Sequence, residues 1–442
     1  MSLIDLKCYD EKLIEETEHD IHMLLTIKFS TKYCMFCNSD KLQAFGKRTL
    51  HFMDLPIRGK RVGLETIVQR YRCKECSRIT QTHVYDMSEK YRMTKRLEEY
   101  IRRNSVLKPF TKLAEEIGVS EGNVRKIFND YVTELGKNYV FETPRVMGID
   151  EIYLAKQPRC VITNIEQRTI IEMLKDRNKP TVIKYLSHVK DPHVILNVTM
   201  DMWKPYKDAV QDTIKHAIIV IDKFHVVRMA NNGVEKCRKE LRVSLPVAQR
   251  RDLKNDRFIL LKRENELHPR QQLLLSHWRL NYPLLGKVYE LKEAFYTIYD
   301  APTKEEAYKR YEHWESSLEN DVLPYFAELQ RAVSNWHKEI FSYFDYKVTN
   351  AYTESLNSVI RHIDRMGRSY GFESIRAKIL YASNIHNKGF KPKFQRRNYG
   401  MDKMSKDILY QEALVNMEEV NYGVSIEKLA KILESGKLQF NI

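Results

Sequence analysis

A chain of 442 residues is too long for one ordinary domain, and 43% hydrophobic content with only 15 Gly and 13 Pro excludes a low-complexity or fibrous protein. Basic residues outnumber acidic ones, giving a net charge of +15 and a pI near 9.2, which calls for a polyanionic partner, nucleic acid or an anionic membrane. No apolar run approaches the ~20 residues needed to span a bilayer, and the acidic start MSLIDLKCYDEKLIEETEHD is not a signal peptide. The expectation is therefore a cytoplasmic protein that binds nucleic acid and has no membrane segment.

The first zone, residues 1–88, reads as a small β-rich domain. Four of the 7 cysteines fall into two pairs, Cys34-Met-Phe-Cys37 and Cys73-Lys-Glu-Cys76. Each pair sets two thiolates on one tight turn, and a β-hairpin between them, with Phe45, Phe52, Ile67 and Val68, would bring the turns together. The result is a closed four-sulfur site suited to structural zinc, with a role in folding and docking. The alternatives are two unrelated pairs of buried thiols or a redox motif, and neither pair follows a strand and opens a helix as a redox motif does. Cys8, Cys160 and Cys237 read as ordinary reduced thiols.

Residues 89–142 turn helical and charged. In FTKLAEEIGVSEGNVRKIFNDY, Leu113 and Ile117 line one face of a first helix, Gly118 permits a sharp turn and Ser120 caps a second helix. Val124, Ile127, Phe128 and Tyr131 share its inner face, leaving Asn123, Arg125 and Lys126 outside. This predicts a DNA-binding helix-turn-helix, the second helix entering the major groove; the alternative is a plain helical hairpin. Upstream lie Arg92, Lys95, Arg96, Arg102 and Arg103, either a DNA-facing run or a solvated helix face.

From residue 143 strand-like and helical runs alternate, predicting a mixed α/β domain. Asp150 closes the run RVMGID, Asp201 closes HVILNVTMD, and Glu354 lies on a helix patterned by Ala351, Leu356, Val359, Ile360 and Ile363. Two strand-end acids faced by a helix acid can hold two divalent ions about 4 Å apart for in-line attack on a phosphodiester. Oxygen ligands and a phosphate substrate suit Mg2+, or Mn2+ in its place. Asp222, at the end of HAIIVID, rivals Asp201 on this pattern, with His225 as a candidate ligand or a packed histidine. Between about 229 and 345 the pattern is all helical, as in Leu284, Leu285, Val288, Leu291, Ala294, Phe295 and Ile298. A basic, weakly helical tail occupies 386–442.

These motifs, in this order, resemble the L-three family of bacterial insertion-sequence transposases. The resemblance rests on the four cysteines, IGVSEGNVRKIF, GIDE at 148–151, DMWKPY at 201–206, IDKFHVV at 221–227, and the Glu354 helix followed by Tyr370-Gly371-Phe372. It implies a ribonuclease-H-like DDE catalytic domain over 143–385, with the helical zone as an insertion. Asp222-x-x-His225 matches a Cys/Asp-x-x-His motif of related superfamilies, which implies that Asp201 is catalytic and Asp222 supporting. One departure is Asn350-Ala-Tyr-Thr-Glu354-Ser, where the family usually carries glycines. The implied function is Mg2+-dependent strand cleavage and transfer on double-stranded DNA. Terminal inverted repeats would be held by the zinc domain and the helix-turn-helix, in a homo-oligomer associated with the nucleoid. The competing readings are an inactive or domesticated DNA-binding regulator and a ribonuclease-H-like nuclease.

Overall fold

The computed structural model describes residues 4–382 apart from 155 and 368–369; the tail expected over 386–442 lies outside the described residues. In the N-terminal sheet, β1 (Tyr9–Glu16) and β2 (Asp20–Ile27) form a hairpin. β2 then pairs in parallel with β4 (Lys60–Cys73), which pairs antiparallel with β3 (Leu42–Ile57) and β5 (Ile79–Gln81). Val62, Leu64, Thr66 and Val68 alternate inward on β4 and are buried, the period-2 pattern of a half-buried strand. Arg58 and Gly59, both at positive φ, turn β3 into β4.

That hairpin carries the cysteines to one end, where Leu42 pairs with Cys73. Cys34 Sγ lies 3.7 Å from Cys76 Sγ, and Cys37 Sγ 3.5 Å from Cys73 Sγ. A tetrahedron with ~2.3 Å metal–sulfur bonds has edges of about 3.8 Å, so the donor set fits one zinc ion. The backbone N–H of Cys76, joined by that of Glu75, points at Cys73 and pulls its thiol down to about 6, against the effect of burial. Such amides favour the thiolate that binds metal.

Three helices follow: α1 (Lys95–Leu107), α2 (Phe110–Ile117) and α3 (Glu121–Asn138). The α2–α3 turn forms as its residues predict. Gly118 takes φ +73, and a side chain there would strike Met53 and Arg61 of the hairpin; the Ser120 hydroxyl accepts the Asn123 N–H. Asp54 on β3 is fully buried, accepts from Thr94 Oγ1 at 2.6 Å and pairs with Arg96. Arg96 thus ties α1 to the sheet, and Arg102 and Arg103 pair with Glu134 and Glu99.

The second sheet is built from β6 (Val146–Leu154), β7 (Gln157–Asn164), β8 (Thr169–Leu174), β9 (Asn197–Met200) and β10 (Ile218–Ile221) in the order β10-β9-β6-β7-β8. β6, β7 and β8 are antiparallel; β9 and β10 continue parallel to β6. α4 (Lys179–Leu186) and α5 (Lys204–Thr213) supply the crossovers and share a core with Met147, Ile149 and Val198. β6 does not end at Asp150, because its pairing with β7 continues through Leu154; only its pairing with β9 stops, at Ile149.

The helical zone begins at Lys223, earlier than its sequence pattern suggests. It comprises α6 (Lys223–Ser244), α7 (Val247–Asn255), α8 (Arg257–Leu261), α9 (Pro269–Asn281), α10 (Pro283–Tyr299), α11 (Lys304–Ser316), α12 (Leu323–Asn335) and α13 (His337–Tyr346). On α10 the inner face is wider than its aliphatic pattern. Tyr289 and Lys292 are buried while Leu284 is exposed, because the Lys292 amine finds the Lys262 carbonyl at 2.6 Å.

Finally α14 (Ala351–Gly367) and α15 (Phe372–Tyr381) cover the other face of the sheet, in one core with α1–α3. Lys378 is buried among them, donating to the carbonyls of Ser105 and Lys108 with its amine 4.3 Å from the centre of the Phe110 ring.

Purified protein should hold one zinc per chain, and Cys73→Ser should release it and unfold the N-terminal sheet, since such sites supply folding energy outright. Metal analysis together with limited proteolysis checks this; zinc-free protein with the sheet intact would refute it. Lys378 gives a pH prediction. Burial, then the Arg125 charge, push its amine down to about 7. The cost of burying the charge is full below that value and fades as pH rises towards the free-lysine value of about 10.4. The melting-temperature advantage of wild type over Lys378→Met should therefore grow from pH 7 to pH 10, and a constant difference would contradict the assignment.

Candidate functional site

The sheet, α6 and α14 meet at a polar cleft of about 490 Å³ lined by Asp150, Glu151, Tyr153, Asp201, His225, Arg228, Glu354, Asn357 and Arg361. Strand order makes this meeting. β9 lies beside β6 in parallel, so Asp201, the residue after β9, comes up next to Asp150, close enough for its charge to act on the Asp150 carboxyl. Glu354 enters from α14, more than 150 residues further along the chain.

α14 is seated on β6 by three side chains of one face. Asn350, fully buried, donates to the Ile149 carbonyl at 3.3 Å, and its own carbonyl accepts the Glu354 N–H. The Thr353 and Thr163 hydroxyls lie 2.7 Å apart. Asn357 donates to Asp150 Oδ2 at 2.8 Å. The approach requires Gly148, where a Cβ would stand 2.4 Å from Thr163 Oγ1 and 2.7 Å from Asn350 Oδ1.

Asp222 caps α6, is fully buried and does not line the cleft. His225, in the first turn of α6, stands between the two aspartates, with Nε2 3.4 Å from Asp201 Oδ1 and Nδ1 3.6 Å from Asp222 Oδ2. One oxygen or nitrogen each of Asp222, His225 and Glu354 lie within 4.8 Å of one another, so the buried Asp222 carboxylate sits beside Glu354 although it does not line the cleft.

Electrostatically the cleft is crowded. Burial and the neighbouring Asp201 charge push Asp150 up to about 7, and burial also raises Asp201. Burial works against His225 protonation, but hydrogen bonding to Asp222 and the charge of Asp201 raise its pKa on balance. Asp201 Oδ1 and Asp222 Oδ2 are buried with only the His225 nitrogens near them, at 3.4 and 3.6 Å, beyond good hydrogen-bond geometry. Hard oxygen donors held together against their repulsion, with unsatisfied lone pairs, fit a divalent cation.

Cations stand at the rim. Arg228 reaches Glu354 at 3.4 Å, and Arg361 has no acidic partner among the described residues. Arg177 pairs with Glu151 and lies 4.2 Å over the Trp203 ring. Sequence reasoning overlooked Asn350, Asn357 and Arg361, although steps of seven and four residues put them on one helix face with Glu354.

Of the residues expected to read DNA, Asn123 and Lys126 are exposed. Ser120 is the helix cap. Arg125 is partly turned inward, paired with Glu121 and 5.1 Å over the Phe110 ring.

A mixed α/β domain with a carboxylate cleft, joined to a four-cysteine hairpin, is an arrangement that transposases share. Comparison with known proteins agrees: a transposase family profile, of the ISL3 group, matches residues 147–380, more than half of the chain. A profile for the zinc finger of the IS204/IS1001/IS1096/IS1165 transposases matches residues 31–76. The protein belongs to the ISL3 transposase family. It is similar to the transposase of insertion sequence element IS1557 from two strains of Mycobacterium tuberculosis, at 24% identity over 269 residues. That similarity covers 55% of this chain and 60% of the relatives' length. Among the described residues no helix is long and apolar enough to cross a membrane.

Gly148→Ala should force α14 away from β6 and cost about 1–3 kcal/mol, the usual range for overpacking a filled interior. A thermal melt checks the stability, and an unchanged melting temperature would mean that the Asn350 contact is not the constraint described.

Proposed function

We propose that this protein is a DNA transposase that binds the terminal inverted repeats of its element and catalyses strand cleavage and strand transfer. Its parts are a zinc-binding domain over 1–88, a helix-turn-helix over 89–142 and a ribonuclease-H-like domain over 143–385 with a helical insertion at about 229–345. The observation that carries this reading is that parallel pairing of β6 with β9 brings Asp150 and Asp201 into one cleft with Glu354.

Asp150, Asp201 and Glu354 would hold Mg2+ or Mn2+, with Asp222 and His225 in support. When bound, a pair of such ions activates the attacking oxygen and stabilises the leaving one. Asn357 fixes the Asp150 carboxylate by donating to Oδ2, while the Glu151 N–H donates to Oδ1. His225 keeps Asp201 oriented and offsets the buried charge of Asp222. Arg361 and Arg228 offer guanidinium groups to the phosphate being cut. Asn123 and Lys126 would face base edges and phosphates, while Arg125 chiefly holds α3 against Phe110. The reaction works on two element ends, so at least two copies act together, in the cytoplasm on nucleoid DNA.

The test is Mg2+-dependent nicking of a duplex that carries the element's own end. Asp201→Asn removes a ligand and keeps the shape, so cleavage should fall at least ~1000-fold with end binding unchanged, whereas Asp222→Asn should lower it only in part. Full cleavage by Asp201→Asn would overturn the assignment. Tight end binding by a wild-type protein that never cuts would favour a regulator.

A further inference from the structure

The basic run ahead of the predicted helix-turn-helix divides into two sets. Arg96, Arg102 and Arg103 are consumed by Asp54, Glu134 and Glu99. Arg92 and Lys95 are exposed and have no acidic partner among the described residues. Both line a cleft between the N-terminal sheet and the start of α1, and Arg48 of β3, equally exposed and unpaired, lines its other wall.

The positive charge extends along the sheet. Arg48 pairs with Val68 in the β3–β4 register, so Arg48, Arg70 and Arg72 stand on one face at steps of two residues, roughly 6.6 Å each. Arg70 and Arg72 lie over the Phe45 ring at 5.5 and 4.8 Å, no ion pair joins either to an acid, and Arg70 Nε is buried without a partner. In the other direction the cleft reaches α3: its wall residue Tyr91 carries the Lys126 amine 5.7 Å from its ring centre. The result is a predominantly cationic track from the cysteine end of the hairpin to the outer face of α3, with Glu89 in the cleft wall and Asp130, held by Tyr91 and Lys90, at its α3 end.

We infer that this track is a second DNA contact, one that grips the sugar–phosphate backbone without reading sequence and extends the duplex footprint beyond α3. Regular spacing on a rigid strand suits the repeated charge of a DNA backbone, and unpaired guanidiniums can form bidentate bonds to phosphate. The inference rests on the DNA-binding reading above and adds where the duplex runs.

The zinc-loaded full-length protein is titrated into a labelled duplex of roughly 30 base pairs and arbitrary sequence, by fluorescence anisotropy, from about 50 to 200 mM salt. Each lost phosphate contact lowers the slope of log K against log salt by about 0.9, so Arg48→Ala/Arg92→Ala/Lys95→Ala should lower it by about 2 to 3. Affinity should fall about 10- to 100-fold. The charge-keeping variant Arg48→Lys/Arg92→Lys should keep the slope, with zinc content and melting temperature unchanged in both. An unchanged slope in the alanine variant, or equal loss in the lysine variant, overturns the inference and leaves the DNA-binding reading in place. A wild-type protein that fails to bind any duplex would remove that reading itself.

Discussion

A side chain at position 148 has nowhere to go. Thr163 on one side and Asn350 above occupy the space a Cβ would need, so the α14 backbone can lie directly against β6 only because the residue is glycine. The entry of Glu354 into the cleft follows from that approach. With α14 held there by Asn350, Thr353 and Asn357, Glu354 lines one cleft with Asp150 and Asp201, which lie more than 150 residues upstream. The strands fix two carboxylates; the glycine admits the third.

The cost of that convergence is charge. Asp150, Asp201 and Asp222 converge at one cleft, and among the described residues His225, between two of them, offers the internal counter-charge. Mutual repulsion and burial hold Asp150 protonated to near neutral pH. A fold gains nothing from such crowding on its own account, since replacing buried ionised groups by apolar ones is often stabilising. Crowded, partly unsatisfied carboxylates are therefore more readily understood as a site waiting for a cation than as structural ion pairs. The polar asparagines that frame them fit the same logic, because Asn357 donates without adding charge.

Much of this was legible in the sequence because it depends on local periodicity. The cysteine spacing, the Gly118 turn with its Ser120 cap, and the strand runs ahead of Asp150 and Asp201 are all written within about ten residues. Other features were not legible, since they depend on which elements meet. The strand through Asp150 runs on to Leu154 because β7 stays beside it, a partner the residues of β6 do not reveal. Arg125 looked like an outward-facing reader until Phe110 and Tyr370 came beneath it. Lys292 falls outside the apolar positions that mark α10 in the sequence, yet backbone carbonyls of another segment take its amine inside. Lysine and arginine are the residues for which helical position says least, because a long stem lets the charge find a partner several ångströms from its own Cα.

The same packing ties α3 to the helix that carries Glu354. α3 does not hang from the second sheet by a linker: Phe110 and Phe128 share a core with Leu356 and Ile360 of α14. The Phe110 N–H donates to the Tyr370 hydroxyl, and Lys378 of α15 holds two carbonyls at the α1–α2 junction. On the far side, Asp54 and the contacts around Gly118 lock the helices to the hairpin. A force applied to α3 is therefore transmitted through side chains in van der Waals contact to the helix that carries Glu354. Coupling of this kind needs no flexible hinge, because a packed interior resists deformation and passes displacement on.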